Sequence, residues 1–340
     1  METILVTGGA GFIGSHVCVE LIEAGFRVVV IDNFVNSTPE ALERIESITG
    51  ERVHFMDVDM MDLDSLDEVF LTYTIDAVIH LAGLKAVGES VTDPLQYYRY
   101  NLTPLLHLCE CIEKHHVHRL VFSSSATVYG PPQHVPIPET HPVKTENPYG
   151  RTKHMSEQIL KDFQRSYFPV KIVILRYFNP VGAHQSGLIG EKPTGVPNNI
   201  MPYITEVAIG RLPVLHIFGD DYPTRDGTCI RDFVHITDLA NGHVKGIEAT
   251  ERMDPGVAVY NLGTGKGTTV KELLHTFEHV TQTTIPFTIA DRRSGDVAVS
   301  YADVRAAERE LGWKSTKGIE DMCKDAWRWQ HLNPTGYVKR

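Results

Sequence analysis

The sequence predicts an α/β fold, a doubly wound parallel sheet (Rossmann) followed by a smaller α/β domain. Three observations carry this. Short apolar runs recur along the first half, stretches with helical spacing separate them, and near Pro180 the texture changes. The runs lie at 4–6, 28–31, 77–81, 120–122 and 172–175. Each is continuously apolar rather than alternating, as parallel strands covered on both faces should be. The first helix between them follows from Ile13, Val17 and Leu21, with His16, Glu20 and Glu23 on the opposite side. A second follows from Leu95, Leu102, Leu105, Leu106, Cys109 and Ile112. Such alternation builds right-handed βαβ units. Beyond residue 180 glycine and proline become frequent, and isolated helical pieces remain near 198–209 and 270–280. The expected division is 1–180 and 181–340, with some chain crossing between the two.

Composition narrows the function. A chain of 340 residues buries enough surface to need neither disulfide nor metal for its core. The net charge of −11, with no basic block, argues against nucleic acid or an anionic membrane as partner. Five scattered cysteines suit a reducing compartment. No signal peptide is visible, and no run approaches about 18 apolar residues, so a soluble cytoplasmic protein is expected. His115-His116-Val117-His118 ends a helix, where cationic side chains favour the dipole. No cysteine or carboxylate set accompanies it, so no metal is expected.

Two motifs carry chemistry. Gly8, Gly11 and Gly14 directly follow the first strand and open a helix. They permit a tight turn, close approach of backbone to a pyrophosphate and close helix–strand packing. Asp32 ends the next strand, where a carboxylate would accept from both adenosine ribose hydroxyls. No arginine follows it, which favours NAD over NADP. The second motif is Tyr149 and Lys153, four apart on one helix face. A tyrosine is a poor base at neutral pH unless positive charge stabilises its phenolate. Lys153 and an oxidised nicotinamide would supply that charge and lower its pKa. Ser123-Ser124-Ser125 ends the preceding strand, the end at which open α/β sheets bind ligands.

With these motifs in place, the chain resembles the UDP-glucose 4-epimerase family of the extended short-chain dehydrogenase/reductases. The resemblance rests on LAGLKAVGES at 81–90, FSSSATVYG at 122–130, LRYFNPVGAH at 175–184 and VPNNIMPY at 196–203. It implies an isomerase with tightly bound NAD that inverts C4 of UDP-galactose and UDP-glucose through a 4-keto sugar, in galactose metabolism. Tyr149 would be the base, Lys153 its electrostatic partner and ribose ligand, and Ser125 the hydroxyl on the sugar's O4. The NAD would meet Gly8, Gly11, Phe12, Ile13, Gly14, Asp32, Asn33, Phe34, Asn36 and Ser37. Asp59, Met60, Leu81, Ala82, Gly83, Lys85, Ser123 and Tyr177 would join them, with Phe178 near the nicotinamide. Asn179, Asn198, Asn199, Ile200, Arg231, Arg293 and Asp296 would bind the UDP, and His216, Ile217 and Phe218 would flank the uracil. Lys85, Ala126, Thr127, Phe178 and Ser300 would also face substrate. Residues 1–180 would then bind NAD and 181–340 mainly the UDP-sugar, in a homodimer joined by the helices near 95–112 and 148–166.

Departures from the family pattern carry expectations too. Tyr100 stands where bacterial members have an asparagine that touches NAD, which removes that contact at this position. Pro104 replaces a glycine and should kink the second helix or restart it with Thr103 as cap. Ser300 replaces a tyrosine that narrows the sugar pocket, leaving room for the N-acetyl group of UDP-GalNAc or UDP-GlcNAc. Rival readings are a 4,6-dehydratase, a UDP-uronate epimerase or decarboxylase, and a non-catalytic NAD-sensing regulator. Ala126-Thr127 lack the acid and base a dehydratase needs beside its serine. A regulator typically loses the tyrosine or the lysine, and both are present. The uronate enzyme stays open.

Overall fold

The computed structural model describes residues 1–337 apart from Thr194, Val196 and Ser294. Its first half alternates β1 (Thr3–Thr7), α1 (Phe12–Glu23), β2 (Arg27–Asp32), α2 (Glu40–Thr49), β3 (His54–Asp57), α3 (Leu63–Thr72) and β4 (Ala77–His80). Then come α4 (Val87–Thr92), α5 (Pro94–Lys114), β5 (Arg119–Ser125), α6 (Pro148–Ser166) and β6 (Lys171–Tyr177). The second half contains β7 (Asn179–Val181), α7 (Ile200–Ala208), β8 (Leu215–Phe218), β9 (Ile230–Arg231), β10 (Phe233–His235), α8 (Ile236–Arg252) and β11 (Gly256–Leu262). It ends with β12 (Thr268–Thr269), α9 (Val270–Thr281), β13 (Phe287–Ala290), β14 (Val299–Ser300) and α10 (Ile319–Leu332).

Seven parallel strands make the main sheet in the order β11-β6-β5-β4-β1-β2-β3. The order reverses between β1 and β4, and ligands of such sheets sit outside the carboxyl ends at that point. Alternate strand residues face opposite layers. Ile4, Val6, Val28 and Val30 pack with α1, α2 and α8, while Leu5, Val29 and Ile31 pack with α3, α5 and α6. This double burial is why the strands read as unbroken apolar runs. A separate core under α7, α9 and α10 joins Ile204, Phe277 and Met322 to β8 and β10. All five cysteines are buried free thiols. Among the described residues no helix is long and apolar enough to cross a membrane.

One feature differs from the sequence expectations. Pro104 does not restart α5, which runs unbroken from Pro94 to Lys114 and is capped by Asp93 through Gln96 N at 3.2 Å. The proline is buried inside it. The chain beyond 180 does not stay in one body. Residues 236–262 return to the main sheet, α8 packing along α1 and β11 pairing with β6 over its full length.

Candidate active site

The turn after β1 is built for close approach. Gly8 adopts a φ of +70°, and its carbonyl accepts from Gly11 N at 3.2 Å. A Cβ on Gly14 would sit 2.1 Å from that carbonyl oxygen and 2.7 Å from Gly9 Cα. Only glycine lets α1 start this close to β1. Gly11 caps α1 without a side-chain bond, and no acidic residue lies in the first turn, where Phe12 and Ile13 begin the helix. The amides of that turn and the positive dipole end therefore suit an anion.

Asp32 closes the second strand. Its carboxylate accepts from Ala10 N at 3.0 Å, Phe34 N at 3.0 Å and Ser37 Oγ at 2.7 Å, which fixes its direction. Asn33 accepts from Val35 N at 3.3 Å in the same loop, and Asn36 is exposed there. Asp59 and Met60 follow β3, but the Met60 side chain lies in the core, so only its backbone can face a ligand. After β4, Leu81 N and Ala82 N each donate to Thr7 Oγ1 at 3.2 Å. Asn101, a residue the sequence reading passed over, locks this loop. It accepts from Leu84 N at 2.7 Å and donates to Leu84 O and Thr152 Oγ1, both at 3.0 Å. Tyr100 is surface-exposed, and the asparagine that faces the loop is its neighbour. A polar residue one turn from buried Tyr97 and Leu105 was the available signal.

At the end of β5 the chemistry-bearing groups converge. The buried Tyr149 hydroxyl faces Ser125, whose Oγ accepts from Thr127 N at 3.2 Å and Thr127 Oγ1 at 3.0 Å. Ala126 and Thr127 continue into a short 3-10 turn. Lys153 Nζ donates to Ser123 O at 2.8 Å, 5.0 Å above the Phe122 ring and 6.0 Å from that of Tyr149. Ser123 Oγ meets the Tyr177 hydroxyl, and the buried Phe178 follows. The downward shift expected for Tyr149 is not what the chain alone produces. Burial pushes the phenol up to about 12, against a weaker pull from Ser125. Burial also brings Lys153 down to about 8, partly opposed by Glu157. Both groups are poised by the loss of water around them.

The substrate candidates of the second half form a second group. Asp296 binds Arg293 at 3.1 Å and Arg231 at 3.5 Å, and the Arg293 guanidinium lies 4.7 Å over Phe218. Register pairs Ser300 with Arg231, so both project from one face. Asn179 N bonds Asp232 O at 3.0 Å, at the start of the pairing of β7 with β10. Exposed Asn198 and Asn199 precede Ile200 at the start of α7. Asn199 and Lys85 both donate to Glu191 Oε1, at 2.7 and 3.0 Å, so the loop after β4 meets this region. Val128, Ile137, Phe178 and Ala302 pack together between the two groups. His216 is exposed and bonds Thr288 at 2.9 Å. Ile217 alternates into the core beside Leu215, so only its backbone can flank a base. His115 bonds Asp67 at 2.7 Å, and the described residues contain no three-ligand metal cluster.

Residues 5–326 match the family model described as GDP-mannose 4,6 dehydratase. The chain is 54% identical over 334 residues to the UDP-glucose 4-epimerase of Bacillus subtilis, covering 98% of each. It superposes with a TM-score of 0.95 and 50% identity on that of Bifidobacterium longum, solved with NAD+ and UDP, covering 98% of this chain and 100% of that one. The structure from Stenotrophomonas maltophila, with bound NAD and formylated UDP-arabinopyranose, gives 0.96 and 48%, covering 98% and 99%.

Proposed function

We propose, since the chain belongs to the UDP-glucose 4-epimerase family, that it interconverts UDP-galactose and UDP-glucose at C4 with a retained NAD, in galactose metabolism. The observation that carries this reading is the buried Tyr149–Ser125 pair at the end of β5, with Lys153 on the next turn of α6. The glycine turn, the free first turn of α1 and the oriented Asp32 fit a dinucleotide. Bound NAD supplies reversible hydride transfer at the sugar's C4 and, when oxidised, a positive charge.

Tyr149 takes the proton of the 4-hydroxyl and later returns it, while Ser125 holds O4. Its phenolate needs positive charge beside it, because burial alone keeps the phenol protonated. Lys153 contributes one such charge from its post on Ser123 O. Arg231, Arg293, Asn179 and Asn199 anchor the UDP, since diphosphate oxygens suit guanidinium forks. Few groups hold the hexose, so the 4-keto sugar turns about its phosphate linkage and offers its other face. Configuration inverts with no net redox change.

The test uses purified protein and UDP-galactose without added NAD, followed by NMR. A UDP-glucose/UDP-galactose mixture supports the reading; no conversion, even with NAD supplied, sinks it. Ser300 is a small side chain in register with Arg231, so UDP-GalNAc and UDP-GlcNAc should interconvert as well. Ser300→Tyr should lower acetylated relative to plain turnover by about tenfold or more. An unchanged ratio refutes the assignment of that pocket. Val91, Leu95, Leu106 and Met155 leave exposed apolar surface on α4, α5 and α6, which supports a homodimer across these helices. Sedimentation at micromolar concentration should find twice the chain mass, and a monomer would end that proposal.

A further inference from the structure

A buried ion pair lies directly behind the catalytic strand. Glu157, one helical turn beyond Lys153, has no exposed side-chain surface and Arg176 almost none. Arg176 Nε and Nη2 reach the two carboxylate oxygens at 2.8 and 2.5 Å. The Ser124 hydroxyl donates to Glu157 Oε1 at 2.6 Å, from between the two serines that meet Lys153 and Tyr149. Arg176 Nη1 continues to Tyr129 OH at 3.1 Å and Glu139 O at 3.2 Å, and Tyr129 OH donates to Asn261 Oδ1 at 2.7 Å. The Asn261 amide donates to Ile137 O at 2.8 Å, and Ile137 N bonds Tyr301 O at 2.9 Å beside Ser300. Every member is satisfied, so the network is rigid and links β5, α6, β6 and β11 to the strand carrying Ser300.

Burying such a pair gains little stability over an apolar filling, so its retention beside the reacting groups calls for another role. We infer that Glu157 is a positioning residue: it holds Ser124, and with it the register of Ser123 and Ser125, and sets a buried negative charge near the Lys153 ammonium. The inference rests on the proposed epimerase reading. Glu157 touches neither sugar nor cofactor in this scheme; it acts through Ser124 and Lys153.

The groups around Lys153 fix the sign of the effect. Tyr149, His154 and Glu157 come from α6, His80 from β4, and Arg176 and Tyr177 from β6. His80 is buried and held neutral, its pKa lowered to about 3, and burial holds both tyrosines protonated. Glu157 is thus the group that favours the lysine's charge, against its burial. In E157Q the carboxylate is lost, so Lys153 should release its proton at lower pH. The alkaline limb of the kcat profile should move down by about one pH unit. The KM for UDP-galactose should stay near that of the wild type, because the UDP anchors lie elsewhere.

The experiment measures kcat and KM against pH for wild type, E157Q and S124A, with bound NAD and thermal unfolding recorded for each. S124A keeps the Glu157–Arg176 pair, and it should lower kcat about tenfold with unmoved KM, unmoved alkaline limb and near-wild-type Tm. It therefore carries the test if E157Q does not fold. A folded E157Q with the wild-type limb, or S124A with the wild-type kcat, overturns the positioning role. A wild type that fails to epimerise in the same assay overturns the epimerase reading instead.

Discussion

Tyr149→Phe should lower kcat for UDP-galactose by about a thousandfold, the usual scale for removing a positioned proton-transfer group. The ring stays, so the packing of α6 against β5 survives, and only the hydroxyl that meets Ser125 is lost. Bound NAD, KM and unfolding temperature should be close to wild type. Turnover above a tenth of wild type would show that another group moves the proton. Restoring activity at high pH is not expected, because phenylalanine has nothing to ionise.

Gly14→Ala should act on the cofactor rather than the chemistry. The added methyl would meet the Gly8 carbonyl at 2.1 Å, a distance no side-chain rotation relieves. Either α1 must move off β1 or the turn must open, at a cost of about 1–3 kcal/mol. Both movements withdraw the first-turn amides from a pyrophosphate. Purified Gly14→Ala should hold well under half the wild-type NAD, measured by absorbance after denaturation, and should melt earlier. Full NAD content would mean that the dinucleotide does not lie on this turn.

The layout of the main sheet was largely readable because burial on both faces writes itself as apolar runs. Five of its strands follow from such runs; β3 and β11 do not. His54–Asp57 is an edge strand that is mostly solvent-facing, so it carries no apolar signature. Gly256–Leu262 is half-buried along its first four residues and hides among turn-rich neighbours. At the site, the glycine turn, Asp32 and the Tyr149–Lys153 pair were legible because their chemistry demands fixed residue types at fixed spacing. Asn101 was not read, since its place on the buried face of α5 was the only local trace and its partners Leu84 and Thr152 are distant in sequence. The upward pull of burial on Tyr149 was not legible for a related reason. Spacing reveals the neighbouring lysine, whereas the loss of water around the phenol depends on the whole fold.

The pairing of β11 with β6 makes the two halves of the molecule inseparable. A fragment ending at residue 180 would leave β6 with an unpaired backbone edge along Lys171–Tyr177 and would strip α8 from α1. Such an edge invites intermolecular pairing and aggregation. The half ending at residue 180 is thus no portable module: it should not express alone, swap between scaffolds or be circularly permuted at that boundary without its distant strand. Evolution of the second half is constrained in the same way, since any insertion between 181 and 255 must still deliver β11 to the same register.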